Sequence, residues 1–139
     1  MVRVSVVFPA YNEAGRGNLV RELDKYVSSF RAKFGDKYQL VVVNDGSTDD
    51  TEGVVERYIS ENKESNVELV SYSVNQGKGG AILEGLRVAK GSIVGFVDVD
   101  DAFNISEILS MIWVLENASY DGLIASKWKG RGFSEVTEP

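Results

Sequence analysis

The sequence predicts an α/β fold built on a doubly wound, mostly parallel sheet, and two observations carry that prediction. Short apolar runs alternate along the chain with longer stretches whose apolar residues recur every three or four positions. That alternation belongs to parallel strands covered on both faces by helices. Three of the runs also lead into unusual polar segments: Pro9-Ala10-Tyr11-Asn12-Glu13, Asp45-Gly46-Ser47-Thr48 and Asp98-Val99-Asp100-Asp101. Ligands of open parallel sheets bind beyond the carboxyl ends of the strands, where the strand order reverses.

The elements follow in order. Residues 2–8 form the first strand, rich in valine, and Val20, Leu23, Val27, Phe30 and Phe34 then mark one face of a helix. Residues 39–44 are the second strand, followed by a helix carrying Val54, Val55, Tyr58 and Ile59. A third strand at 67–71 precedes a shorter stripe of Ile82, Leu83, Leu86 and Ala89. The fourth strand spans 92–97, and Ile105, Ile108, Leu109, Ile112 and Leu115 give the clearest helical face. A short fifth strand falls at 122–125. Asp49 with Glu52, and Asn104 with Glu107, fit a capping side chain followed three residues later by Glu. Right-handed crossovers then lay these strands out in a doubly wound sheet; if the order is 3-2-1-4, the direction reverses between the first and the fourth strands.

The 139 residues suffice for one domain with a buried core, and 43% of them are apolar. A net charge of −6 argues against nucleic acid as a partner, since that binding draws on surplus Lys and Arg. There is no Cys, which excludes thiolate metal sites and cysteine nucleophiles, and no His, so proton transfer would fall to carboxylates, Lys, Tyr or the substrate. No apolar stretch reaches the roughly 20 residues of a membrane helix.

Each strand-end segment has a chemical and a bland reading. Asp98 and Asp100 offer the carboxylate oxygens that Mg²⁺ or Mn²⁺ prefers, a site usually completed by substrate phosphates; a solvated turn with a helix cap is the bland alternative. Tyr11 can stack on a base and Glu13 can accept from a ribose, although Pro9 and Asn12 also suit an ordinary turn. Asp45 can accept from the imino N–H of uracil or guanine, and Gly46 allows a tight turn. Asn75-Gln76-Gly77-Lys78-Gly79-Gly80-Ala81 enters the third helix without the spacing of a P-loop, but Lys78 there can approach a diphosphate. Asp49 reads as a helix cap.

Taken together, P-x-Y-N-E, V-x-D-G-S-x-D-x-T, N-x-G-K-G-x-A and D-x-D in this order resemble the nucleotide-binding half of a GT-A family-two glycosyltransferase. The N-Q-G-K-G-G-A form is most similar to enzymes that load glucose or mannose onto polyprenyl (dolichyl) phosphate. The resemblance implies a Rossmann-like GT-A domain in which Pro9, Tyr11, Glu13, Asp45 and Lys78 bind the nucleotide of a UDP- or GDP-linked sugar. It implies Asp98 and Asp100 as ligands of Mg²⁺ or Mn²⁺, with Asp101 joining them in catalysis. Ala125-Ser126-Lys127 stands where the family has G-S-R, so Lys127, with Arg131, is the implied contact to the acceptor phosphate. Lys keeps the charge there but lacks the two-pronged donor geometry of Arg. Asn44 replaces an acidic residue usual in the family.

The implied reaction is a metal-dependent, inverting transfer of a hexose from UDP-glucose or GDP-mannose to polyprenyl phosphate, or to a saccharide hydroxyl. Family members run well past residue 139, so the resemblance implies a domain cut before its acceptor-binding part. It also implies a cytoplasmic protein whose membrane contact comes through that later part. A donor-binding fragment without turnover is a second reading. A haloacid dehalogenase-type phosphatase is a remote third, because its D-x-D sits on the first strand rather than the fourth.

Overall fold

A computed structural model of the chain describes residues 1–99 and 104–118, together with the backbone of short strands at 122–124 and 135–137. The chain divides into two compact units, Met1–Asp101 and Ala102–Pro139. The first contains β1 (Val4–Ala10), α1 (Asn18–Phe34), β2 (Tyr38–Asp45), α2 (Thr51–Glu61), β3 (Val67–Tyr72), α3 (Gly77–Val88) and β4 (Ile93–Phe96). Its four strands are all parallel, in the order β3-β2-β1-β4, the order whose reversal falls between the first and the fourth strands. All eight residues of β2 are buried, because helices cover both faces of the central strands.

Parity sorts the side chains of β1. Phe8 meets Tyr26 of α1 edge-on at 4.9 Å, and Tyr26, Phe30, Phe34 and Tyr38 continue that aromatic contact along the helix. Val7 faces the other way and packs with Val41, Val43 and Ala81 under α3. Below them, Ser5 Oγ donates to Gln39 Oε1 at 2.6 Å. The same two side chains accept the Lys90 and Gly91 N–H groups, tying the α3–β4 connection to the sheet.

Three details differ from the sequence reading. β1 runs through Pro9 to Ala10 instead of stopping at Phe8. The Val7 carbonyl accepts from Val97, so alternate residues, Pro9 included, point their backbone polar groups toward β4. β4 ends at Phe96, opposite Val7, so at Pro9 no ladder bond on that side is lost. In α1, Leu19, Leu23, Tyr26, Phe30 and Phe34 are buried, and Val20, assigned to the core face, is 40% exposed. The two rows overlap at the same spacing, and the aromatic row fills the space over Phe8.

The third difference is in α3, where Ala81 and Gly85 lie against the sheet while Leu83 and Leu86 face outward. A Cβ placed on Gly85 would collide with Val7 Cγ1, so the helix sits close enough that only glycine fits.

The second unit contains α4 (Ile105–Asn117), β5 (Gly122–Ile124) and β6 (Glu135–Thr137). Asn104 caps α4 as predicted, its side chain accepting from Ser106 N–H at 2.9 Å. The fifth strand exists, but it pairs antiparallel with β6, a strand the sequence reading did not include. No helix among the described residues is long and apolar enough to cross a membrane.

Candidate functional site at the carboxyl edge of the sheet

Because the four strands are parallel, the residues that follow β1, β2, β3 and β4 gather at one edge of the first unit. The first two loops are joined side chain to backbone. Asn12, in the left-handed region at φ 52°, turns its Oδ1 to accept from Thr48 N–H at 2.8 Å and more weakly from Asp49 N–H and Thr48 Oγ1. Its own N–H donates to Ser47 Oγ at 2.9 Å, and the Glu13 N–H donates to Thr51 Oγ1 at 2.9 Å. Asn tolerates that backbone conformation better than most residues, which is why it stands at this turn.

Asp49 serves both loops. The cap position of α2 is Asp50, whose side chain makes no capping bond, a shift of one residue from the sequence reading. Asp49 still accepts the first-turn N–H and hydroxyl of Thr51, and its other oxygen accepts from Ala14 N–H at 3.2 Å. The Thr51 hydroxyl bond, followed by the backbone donors, lowers the Asp49 pKa below its ordinary value. Its stabilising contribution is therefore complete above the ordinary carboxylate pKa and is lost as pH falls through the lowered folded value. Asp49→Asn is expected to weaken the domain to urea at pH 7 and to make no difference at pH 2; equal losses at both would contradict this.

Asp45 lies at the end of β2, and only 4% of its surface is exposed. Tyr72 Oη donates to Asp45 Oδ1 at 2.7 Å, and the Gln76 N–H donates to the same oxygen at 2.8 Å. Asn75 Nδ2 donates to Oδ2 at 3.1 Å and to the Asp45 carbonyl at 2.9 Å. Gly46 follows at φ 65°, and a Cβ there would overlap the backbone at Val74 and Asn75. The β2 and β3 loops thus touch main chain to main chain, which only glycine permits. Asn44, also buried, donates to Ser71 Oγ at 2.9 Å.

Beyond this clamp, Gln76 caps α3 and Lys78 extends from the first turn of the helix. Lys78 Nζ reaches Asp98 Oδ2 at 3.1 Å, with the lysine side chain mostly exposed and the carboxylate partly so. Two predicted site residues that are 20 positions apart in sequence are therefore in contact. Tyr11 is 45% exposed at the same edge, its ring open to stacking. Glu13 is buried, has Arg16 Nη1 3.7 Å from its Oε2, and lines a cavity of about 310 Å³ with Leu19, Val54 and Tyr58. Asp100, Asp101, Lys127 and Arg131 lie outside the described residues. Among the described residues no group of three acidic side chains converges as a cation cage. Of the two aspartates expected to hold the metal, Asp98 is among the described residues, and its carboxylate is the kind of hard oxygen donor that Mg²⁺ or Mn²⁺ favours.

The sequence reading missed Tyr72. The signal was available, because Tyr72 ends β3 at the same edge as the other three strand-end segments.

The first unit is thus a parallel 3-2-1-4 sheet with acidic and glycine-rich strand-end loops, and comparison with known proteins gives its family. Residues 5–135 match Glycosyl transferase family 2, and the chain belongs to that family. It is 35% identical over 112 residues to the dolichyl-phosphate beta-glucosyltransferase of Saccharomyces cerevisiae, a match covering 78% of this chain and 33% of the relative. Among solved structures it is similar to the mannosyltransferase PcManGT from Pyrobaculum calidifontis in complex with GDP-Man and Mn²⁺. That likeness has a TM-score of 0.74 at 27% identity and covers 91% of this chain and 36% of the other. S. aureus TarS 1-349 in complex with UDP is similar at TM-score 0.60 and 25% identity, over 96% of this chain and 38% of the other. The chain spans about a third of the length of the curated relatives it matches.

Proposed function

We propose that this chain is the donor-binding part of an inverting, metal-dependent glycosyltransferase that moves glucose from UDP-glucose to a polyprenyl or dolichyl phosphate. The observation that carries the reading is the convergence of Tyr11, Asp45, Lys78 and Asp98 on one edge of the sheet. Tyr11 stacks on the base. Asp45 accepts its imino N–H. Lys78, at the positive end of α3, faces the diphosphate.

A lone-pair count supports uridine. Each carboxylate oxygen accepts about two hydrogen bonds. Oδ1 of Asp45 already has two donors, while Oδ2 has one. One acceptor position remains, matching the single imino N–H of uracil; the two-donor edge of guanine would need both oxygens. The name of the yeast relative supports glucose and a lipid phosphate acceptor. GDP-mannose is the second reading, favoured by the complex of the Pyrobaculum neighbour.

Asp98 and Asp100 would hold Mg²⁺ or Mn²⁺, with Asp101 beside them at the reacting end, and the cation would supply charge neutralisation for the departing diphosphate. Lys78, in contact with Asp98, would add its positive charge beside that diphosphate. An ionised lipid phosphate attacks without a general base, in keeping with a chain that has no His. Lys127 and Arg131 are the residues of this chain assigned to that phosphate.

Calorimetry of the 139-residue chain tests the donor half. UDP with Mn²⁺ should bind about tenfold or more tightly than GDP, and EDTA should remove most of that affinity. Tighter binding of GDP would overturn the uridine assignment. Labelled UDP-glucose and a short dolichyl phosphate, supplied to the full-length protein, test the acceptor half; an unlabelled lipid would sink it.

A further inference from the structure

We propose that Tyr72 is a positioning residue of the donor site: its hydroxyl holds the Asp45 carboxylate so that Asp45 in turn sets the Gln76 N–H and the start of α3, from which Lys78 reaches Asp98. This extends the donor-site reading to a residue outside the sequence motifs. The contacts form one continuous path. Tyr72 Oη and Gln76 N share Asp45 Oδ1 at 2.7 and 2.8 Å, Asn75 spans the Asp45 carboxylate and carbonyl, and Lys78 closes on Asp98 at 3.1 Å.

The geometry gives Tyr72 a task the other partners cannot perform. Asn75 and Gln76 are exposed members of the loop being positioned, whereas Tyr72 is half-buried at the end of β3, in register with Asp45. It anchors the carboxylate to the sheet, and the loop then hangs on the carboxylate. Burial, and then the adjacent Asp45, push the Tyr72 hydroxyl above its ordinary pKa, so it remains a donor. Tyr72 also occupies one of the lone pairs of Oδ1, which leaves Asp45 with the single acceptor position matched to one imino N–H.

Tyr72→Phe removes the hydroxyl and keeps the ring. A matched control exists at the other end of β2, where Tyr38, the first residue of the strand, donates its Oη to the Ser65 carbonyl at 2.8 Å. Tyr72→Phe should weaken UDP–Mn²⁺ binding about tenfold, raising the donor KM of the full-length enzyme while kcat changes less than about twofold; Tyr38→Phe should leave both unchanged. The Gln76 and Gly77 amides should also exchange with solvent faster in Tyr72→Phe than in wild type or Tyr38→Phe. Unchanged nucleotide affinity in Tyr72→Phe, or equal loss in both variants, would overturn the proposal. A wild-type chain that binds neither UDP nor GDP would instead defeat the donor-site reading. The positioning would then be judged on amide exchange alone, which requires no ligand, and unaltered exchange would refute it.

Discussion

Gly85→Leu is expected to destabilise the first unit by roughly 3 kcal/mol, at the upper end of what overpacking a filled core costs. A Cβ at this position would strike Val7 Cγ1 and stand 3.0 Å from Val7 Cγ2 and 3.1 Å from Val43 Cγ2. Both neighbours are valines with stiff side chains on fully buried strands, so neither can turn away. α3 would have to lift off the sheet, stripping Ala81 of its contacts with Val7, Val41 and Val43. The helix propensity gained on leaving glycine, about 1 kcal/mol, offsets only part of this. Urea unfolding of the 139-residue chain measures the loss, and a value below about 1 kcal/mol would mean that α3 does not sit this close. Leu83→Ser is the counterpart: at 59% exposure it should shift stability by less than about 0.5 kcal/mol.

Asp45→Ala should cost roughly 2–3 kcal/mol of stability, because hydrogen bonds to a charged acceptor are worth about twice neutral ones. The variant strands the Tyr72 hydroxyl, the Gln76 N–H and the Asn75 amide. The two loop donors can turn to water; Tyr72, half-buried, has less recourse. Asp45→Asn separates the two roles assigned to this residue. Its remaining oxygen can still accept from Tyr72 and Gln76, and Asn75 keeps its bond to the residue 45 carbonyl while losing the one to Oδ2, so the clamp survives at a cost of about 1 kcal/mol. Its NH₂ takes the place of Oδ2 and meets the imino N–H of the base donor to donor, so UDP affinity should fall by about 100-fold. Unfolding and calorimetry on the same samples decide the matter. If Asp45→Asn kept wild-type affinity for UDP, the base would not be read by Asp45.

Much of the site was legible because its motifs are local. Asn12 was read as a residue that suits a turn, and it lies in the left-handed region at φ 52°; Gly46 was expected at a tight turn and lies at φ 65°. What those residues touch was not legible. That Asn12 accepts from Thr48, and that Asp45 is held by Tyr72 and Asn75, depends on residues 27 to 36 positions away. The cap of α2 was misplaced by one residue because Glu52 stands three residues after Asp49; in the structure Asp49 accepts from Thr51 and Ala14, while Asp50 holds the cap position.

The sequence by itself determined the α/β class and the polar loops at the strand ends, since apolar period and motif order are properties of the chain read in line; the strand order 3-2-1-4 was one arrangement that right-handed crossovers allow, and the structure selects it. Only the tertiary structure decided which of two overlapping rows of α1 faces the core, that α3 packs through Ala81 and Gly85 rather than its leucines, and that β5 pairs antiparallel with β6. Periodicity finds a face but is silent on what lies opposite it. Burial goes to the row whose shape fits the neighbouring strand, and close approach of helix to sheet favours the smallest side chains over the most apolar ones.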